Sequence, residues 1–399
     1  MDFAFPDHAD RLRTEIRAFL DEHWPQDHRA YAINDAVARD LASMDANTAD
    51  TSPEEVRAFF RKLGDAGFLG FGVPERFGGR GGDHIDRFVV QSELCAAGAP
   101  YPNIAMTMVA PTLLAVGSEE FLQEHMPRVV RGDVEYCVGY TEPGAGTDLA
   151  ALRTRAVRDG DDYVINGQKI FSSSAHYADY YFIAARTDVE APRHKGISVF
   201  LIPMRSPGIT VTPLTTVSGV RTNIVFLDDV RVPRSALVGE ENQGWRYITE
   251  ALSFERYAAT FASPLVLAYN QLAEIDSGNC DVELARFRAD VRAAELLNVD
   301  AAWTAAEGRA PILEAAASKL VITETRHLLS RAALNRMGRG AVLDGFDAEA
   351  PHGGQFNLMY RHSVINLFTA GANDIQRDVL AQVGHGLPRR RRPQNAKVG

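Results

Sequence analysis

Cysteine is scarce in this chain of 399 residues. The three cysteines, Cys95, Cys137 and Cys280, are widely spaced and form no C-x-x-C pair. An odd, dispersed set of thiols provides neither a disulfide framework nor a zinc site, so a reducing compartment is favoured. Residues 1–7 lack the basic segment and apolar core of a secretory leader, and no later window is long and apolar enough to span a membrane. We therefore expect a cytoplasmic protein.

Basic residues are outnumbered by acidic residues, 42 to 52. The formal net charge is −10 at pH 7 and the isoelectric point is near 5.6. Nucleic-acid binding requires a basic face to contact phosphates, so this class of function is disfavoured. The run of four arginines at residues 389–392 is a local exception, and its position among Pro, Gln and Asn predicts a solvated tail.

The two common glycine-rich phosphate-binding motifs are missing as well. No G-x-G-x-x-G opens a helix within a βαβ unit, and no G-x-x-x-x-G-K-[ST] occurs. A dinucleotide-binding sheet of the βαβ type is therefore not indicated.

The spacing of apolar residues changes along the chain. With 46% hydrophobic residues it can bury a large core and divide into two or three domains. Helical spacing of apolar residues dominates the first third, short β-branched and aromatic runs separated by turns extend from Tyr136 to about Val232, and helical spacing returns after Trp245. We predict an α+β multidomain protein with a helical domain (1–130), an antiparallel barrel or sandwich (131–240) and a C-terminal four-helix bundle (241–399).

Two strand-turn segments in the middle region, residues 136–148 and 166–174, combine Gly, Pro and hydroxyl residues. Such turns place backbone N–H groups and short side chains at the mouth of a sheet, a surface that suits a flat cofactor with polar edges. A plain turn between two strands is the more frequent explanation of Pro-Gly-x-Gly taken alone. Both interpretations stay open at this point.

Several segments of the chain, in their order along the sequence, resemble motifs of the acyl-CoA dehydrogenase family. These segments are Tyr140-Thr141-Glu142-Pro143-Gly144-Ala145-Gly146-Thr147-Asp148, Asn166-Gly167-Gln168-Lys169-Ile170-Phe171-Ser172-Ser173, Leu227-Asp228-Asp229-Val230-Arg231-Val232-Pro233, Gly239-Glu240-Glu241-Asn242-Gln243-Gly244-Trp245 and Ile375-Gln376-Arg377. The resemblance implies a helical N-terminal domain, a β-barrel middle domain and a C-terminal four-helix bundle, with FAD held between the barrel and the bundle. It also implies dehydrogenation of an acyl thioester, with an electron-transferring flavoprotein or a similar acceptor taking the electrons.

The resemblance assigns cofactor contacts to both strand-turn segments. Phe171 and Ser173 match a family motif that normally reads Trp-x-Thr, and the replacements keep an aromatic face and a hydroxyl donor. The residues implied to contact FAD are Tyr140, Thr141, Gly146, Thr147, Phe171, Ser172, Ser173 and Gly371.

The expected catalytic carboxylate lies at a different sequence position from that in many family members. Many family members carry their catalytic Glu near the C-terminus, where this chain has Ala370, and a subset carries it on the first bundle helix, where this chain has Glu255. That subset resembles the isovaleryl-CoA, long-chain and actinobacterial sterol-side-chain enzymes. Glu255 is thus the predicted base, with Thr147, Ser253 and Arg256 as predicted substrate contacts. Without the resemblance, an exposed Glu255 beside Arg256 on a helix face would be favoured.

A second departure concerns assembly. The Arg-x-x-Phe-Gly segment with which homotetrameric members reach a neighbour's FAD is absent from residues 269–288. We expect a dimer or tetramer, either of identical chains or with a paralogous chain that completes the FAD site. Two other functions remain open: a flavin monooxygenase or N-hydroxylase on the same fold, and a non-catalytic subunit. The acyl group, and its attachment to coenzyme A or to a carrier protein, are not specified by the sequence.

Overall fold

The computed structural model describes residues 5–24, 53–219, 221–259, 261–275, 281–343, 347 and 349–388, and within α6, defined below, it describes no side chain from residue 253 onward. Cys280 and the arginine run at 389–392 lie outside the described residues. Across the part of the chain described, no helix is both long and apolar enough to cross a bilayer.

The N-terminal region is helical, as predicted. Its helices are α1 (Asp7–His23), α2 (Pro53–Asp65), α3 (His84–Ala96), α4 (Ala110–Val116) and α5 (Glu119–Val130), and a π-helical turn (Ala105–Val109) leads into α4. Helix α1 buries Ala9, Leu12, Ile16 and Leu20, which recur at the three- and four-residue spacing of one helix face. A capping box starts α3, in which Asp83 and Asp86 each accept a hydrogen bond from the other's backbone N–H.

Eight strands form the middle region. They are β1 (Tyr136–Gly139), β2 (Arg155–Asp159), β3 (Asp162–Lys169), β4 (Tyr180–Arg186), β5 (Ile197–Pro203), β6 (Ile209–Thr215), β7 (Arg221–Pro233) and β8 (Leu237–Val238). The order across the sheet is β6-β7-β3-β2-β4-β5-β8, with β1 added against β4. The predicted strand-rich middle region is therefore confirmed.

The sheet is mixed rather than wholly antiparallel. Strand β1 pairs with β4 in parallel, and β2 meets β4 in parallel at Arg155 and Arg186, whereas the other pairings are antiparallel. The parallel pairs arise because the chain returns through the β2–β3 hairpin before it enters β4. Among the described strands β6 and β8 end the path without pairing to each other.

Strand β4 separates two hydrophobic cores. Phe182 and Ala184 face a core shared with the N-terminal helices, whereas Tyr181 and Ile183 face the core of the sheet itself. The side chains on both faces of β4 are fully buried, which is the pattern of a central strand covered on both sides. The sheet is thereby fixed on the helices through its centre.

The C-terminal region contains α6 (Gly244–Ala259), α7 (Ser263–Ile275), α8 (Val282–Ala306), α9 (Ile312–Met337), α10 (Gln355–Asn366) and α11 (Asn373–Val379). Four of these, α7 to α10, surround one core that includes Leu272, Phe287, Leu329 and Phe356. The predicted four-helix bundle is thus present, and the helix that contains Trp245 packs against its α9. The described buried residues of that helix, α6, include Ile248 and Ala251, which belong to the core shared by the sheet and the N-terminal helices.

A buried histidine joins α5 to β1. His125 is 1% exposed, and its Nδ1 shares a hydrogen bond of 2.9 Å with the Tyr136 hydroxyl. Burial lowers the pKa of His125 to about 4, since a charged imidazole would lose its hydration there.

Acidification is therefore expected to destabilise the fold between pH 6.5 and about 4. A histidine whose pKa is lower in the native state binds fewer protons there, so its contribution is complete above the unfolded pKa and is lost as the pH falls through the native pKa. The loss should reach about 3 kcal/mol in the free energy of unfolding, measured by urea titration at several pH values. His125→Gln should flatten this dependence, whereas the exposed-site control His385→Gln should not. Equal acid losses in the wild type and His125→Gln would contradict this assignment.

Candidate active site

The first strand-turn segment leaves β1 as a tight turn followed by an open loop. Glu142 and Ala145 exchange two backbone hydrogen bonds of 3.1 Å, which closes the turn over Pro143 and Gly144. Tyr140 is buried, Thr141 is half-buried, and Gly146 and Thr147 are exposed. A Cβ built on Gly144 or Gly146 would meet no atom within 4 Å, so both glycines border open space.

The second segment follows β3 and is held in an unusual conformation. Phe171 and Ser174 have φ values of 56° and 66°, in the left-handed region that residues other than glycine rarely adopt. Ser172 between them is anchored: its N–H donates to the Asn223 carbonyl at 3.0 Å, and its carbonyl accepts from the Asn223 side chain at 2.9 Å. Such strain persists only where the surroundings fix the backbone, and it often marks a binding site.

The anchoring of Ser172 determines which side chains of the second segment are accessible to a ligand. The Ser172 hydroxyl hydrogen-bonds the Tyr181 hydroxyl at 2.7 Å and is fully buried. Phe171 on one side is 55% exposed, and Ser173 on the other is half-buried. The predicted contact of Ser172 with a cofactor would therefore be made by its backbone, whereas Phe171 and Ser173 have side chains available.

The two segments meet directly. The Ile170 N–H donates to the Thr141 carbonyl at 2.9 Å, and Lys169 forms an ion pair with Glu142 at 2.8 Å. The structure therefore brings together the predicted contacts of both segments in one surface, called the paired loops below (140–148 and 169–174). Glu142 and Lys169 were missed as site residues, although both lie inside the quoted motifs, because a charged residue in a turn motif is ordinarily solvated.

Gly371 lies elsewhere, in the turn between α10 and α11. It is exposed with φ of 83°, and its carbonyl accepts a hydrogen bond from the Gln376 side chain at 3.1 Å. A Cβ at Gly371 would lie 2.4 Å from the Gln376 amide nitrogen, so only glycine fits this turn without displacement. Ala370 beside it, at the position of the usual catalytic Glu, is half-buried with φ of 50°.

Ser253, Glu255 and Arg256 lie on α6, and their side chains are outside the described residues. The helix backbone nevertheless places position 255 at four residues from Ala251 and seven from Ile248, on one face of the helix. Those two residues are at most 1% exposed. Helix α6 packs against the π-helical turn, β5 and α9. The helix register therefore places position 255 on the same face of α6 as Ile248 and Ala251.

The paired loops fit a flavin. An exposed aromatic ring offers a stacking face, the Ser173 hydroxyl offers a hydrogen bond to a ring edge, and two glycines leave room for close approach of a flat ligand. A cofactor with an extended aromatic ring and polar edge atoms matches this set of groups.

Sequence models of the acyl-CoA dehydrogenase N-terminal, middle and C-terminal domains match residues 6–133, 137–230 and 242–385. The acyl-CoA dehydrogenase FadE26 of Mycobacterium tuberculosis is 37% identical over 356 residues, covering 84% of this chain and 89% of that protein. Among solved structures, the Tcur3481-Tcur3483 steroid ACAD superposes with a TM-score of 0.86 at 34% identity, over 98% of this chain and 100% of that chain.

A second superposition is with the ChsE4-ChsE5 complex of Mycobacterium tuberculosis, with a TM-score of 0.84 at 33% identity over 98% of this chain and 100% of that chain. Three matched family domains in order, relatives above 30% identity and the flavin-compatible loops agree. The chain therefore belongs to the acyl-CoA dehydrogenase family of FAD-dependent oxidoreductases.

Proposed function

We propose that this chain carries out the family's FAD-dependent dehydrogenation on an acyl-CoA with a bulky, steroid-type acyl group, with Glu255 as the base. The assignment of Glu255 rests on the helical register of α6, which determines the face on which each of its residues lies. Position 255 shares a helix face with Ile248 and Ala251, which are buried among the sheet and the N-terminal helices. A carboxylate on that face would be removed from bulk water, as abstraction of a weakly acidic proton requires.

The reaction removes a proton from the α-carbon and a hydride from the β-carbon, and a C=C bond forms between them. Glu255 takes the proton. When bound, FAD supplies the two-electron acceptor for the hydride. Phe171, Ser173 and the backbone of the first loop would hold the flavin, while Thr147, Ser253 and Arg256 would position the thioester. Each of these roles is part of the proposal.

A steroid-type acyl group is favoured by the π-helical turn that packs against α6. This turn carries Met106 and Met108, both at most 2% exposed. A π-turn widens a helix locally and is frequent at functional sites, and methionine adapts to irregular ligand shapes. The name of the steroid ACAD described above, which aligns over almost the entire chain, supports the same proposal.

We further propose that the chain works in a heteromer with a paralogous chain. The Arg-x-x-Phe-Gly segment is missing from residues 269–288, so identical copies would lack this contact to FAD. Large apolar side chains are exposed along the C-terminal segment, at Phe368, Val383 and Leu387, which favours a covered face. Two structural relatives bear the names of two-chain assemblies. Because Ala370 replaces the usual Glu, a non-catalytic subunit is the second candidate function.

The domain limits 1–130, 131–240 and 241–399 remain our proposal, supported by the ends of α5 at Val130 and of β8 at Val238. The cytoplasm is the proposed location, on the composition of the sequence alone.

A panel of CoA thioesters tests the proposed substrate. The FAD-loaded protein is mixed anaerobically with butyryl-CoA, palmitoyl-CoA or a steroid bearing a short acyl-CoA side chain, and loss of visible flavin absorbance is followed. We expect the steroid thioester to bleach the flavin fastest, because the methionines of the π-helical turn can adapt to a bulky acyl group. Faster bleaching by a linear thioester would overturn the substrate class. No bleaching by any thioester, with oxygen uptake once a flavin reductase is added, would indicate a monooxygenase instead.

A further inference from the structure

The paired loops share a buried ion pair that the flavin contacts do not explain. Lys169 is fully buried and Glu142 is 7% exposed. The Lys169 Nζ lies 2.8 Å from Glu142 Oε1 and 3.3 Å from the Tyr140 carbonyl oxygen, to which it also donates. One ammonium group thus binds both the backbone and a side chain of the first loop.

The Glu142 carboxylate extends the connection to the far end of that loop. Its Oε2 accepts from the Arg153 N–H at 2.6 Å, and its Oε1 accepts from the Thr154 N–H at 2.9 Å. Backbone donors therefore hold the carboxylate from one side while Lys169 holds it from the other. With these bonds the loop is closed from Tyr140 to the start of β2.

The electrostatics keep both partners charged near neutral pH. Burial lowers the pKa of Lys169 to about 8, which still leaves it mainly protonated at pH 7. Burial would raise the pKa of Glu142, but the charge and hydrogen bond of Lys169, together with the hydrogen bonds from Thr154 and Arg153, hold this pKa below its usual range. Arg186 and Tyr181 are the other ionisable groups that interact with Glu142.

Stability alone is a poor explanation of such a pair. The cost of removing two charges from water offsets much of their attraction, and an apolar pair of similar size is often as stable. What an apolar pair lacks is a fixed donor–acceptor geometry. The sequence position of the pair supplies the reason for keeping it: Lys169 precedes Phe171 and Ser173 by only a few residues, and Glu142 lies between Tyr140 and Gly146.

We propose that Glu142 and Lys169 are positioning residues for FAD, an ionic clamp that sets the distance between the two loops on which the flavin lies. This inference rests on the proposed placement of FAD on the paired loops. Without the clamp, the loops would still be joined by the Ile170–Thr141 hydrogen bond. Their separation at the flavin would then vary, and FAD would lose the preorganised surface that holds it.

Three variants test the clamp: Glu142→Gln, Lys169→Met and the double variant. Each single variant leaves one buried charge without its partner, so we expect a lower melting temperature and weaker FAD binding. The double variant removes both charges, so its melting temperature should recover while its dissociation constant for FAD remains at least about tenfold above wild type. Its bound-flavin absorbance spectrum should also shift, since the ring is held differently.

The measurements are equilibrium dialysis of FAD from the assembly in which the chain carries it, the visible spectrum and thermal unfolding. Arg231→Gln is the matched control, because it removes one cation from an exposed pair with Asp159 and Asp162 in the same sheet. It should leave FAD binding unchanged. Wild-type FAD affinity and spectrum in the double variant would overturn the clamp, even if both single variants fail to fold. Absence of FAD from the wild-type assembly would instead overturn the proposed function.

Discussion

Glu255→Gln is expected to slow flavin reduction by an accepted acyl thioester on the order of a hundredfold or more, the range typical of a lost general base. Glutamine keeps the shape of the side chain but cannot take the α-proton near neutral pH. The chemical step is isolated by mixing enzyme and thioester in a single turnover and following the flavin absorbance. FAD content and thioester binding should be retained, because the substitution removes basicity and little else.

Glu250→Gln is the matched control on the same helix. Position 250 is exposed and faces away from Ile248 and Ala251, so reduction should proceed at the wild-type rate. Wild-type reduction by Glu255→Gln would exclude Glu255 as the base. A loss of bound FAD in that variant would point to a structural role instead.

Moving the carboxylate extends the test. Glu255→Gln combined with Ala370→Glu should recover part of the lost rate, because members of the family use either position for the base. Recovery should be incomplete, because a glutamate at position 370 would approach the substrate from another element, the turn between α10 and α11. A combined variant as slow as Glu255→Gln would show that position 370 does not reach the substrate in this chain.

The second large effect concerns FAD content. This chain purified alone should carry well under one FAD per chain, and co-expression with a paralogous chain that has an Arg-x-x-Phe-Gly segment should raise the FAD content several-fold. The reason is that residues 269–288 lack this segment, so the cofactor contacts from a neighbouring copy are incomplete. Flavin absorbance per protein mass, together with mass measurement in solution, gives both the occupancy and the composition.

A second, differently tagged copy of this chain is the control for the co-expression experiment. It should not raise the FAD content, because it adds no new contact. A homo-oligomer with one FAD per chain and full dehydrogenase activity would contradict the heteromer. A mixed assembly whose activity survives Glu255→Gln but is lost when the paralogue's base is removed would make this chain the non-catalytic subunit.

The helical regions and the bundle could be predicted because their signal is local. Apolar residues of α1 recur at helical spacing in a short window, and the side-chain cap of Asp83 marks where α3 begins. Helix α6 shows the limit of this reasoning. Its periodicity predicts a buried face, but only the packed structure assigns Ile248 and Ala251 to the core of the sheet and the N-terminal helices.

The candidate site was predictable where a motif carries its own chemistry. Gly146 and Phe171 were proposed as cofactor contacts through the family motifs, and the structure places their segments side by side. The ion pair was not found, because Glu142 and Lys169 approach each other only through the fold. The prediction of strand direction was wrong for the same reason. The parallel pairing of β1 with β4 depends on the path of the chain between them.

The long separation between paired strands bears on how the chain is made. Strand β3 ends at Lys169, but its antiparallel neighbour β7 runs from Arg221 to Pro233. While the ribosome is still adding the intervening residues, β3 has an open edge, and contacts so distant in sequence form slowly. A chain interrupted before residue 233 would expose unpaired backbone and the apolar residues of β3, which makes incomplete products prone to aggregate.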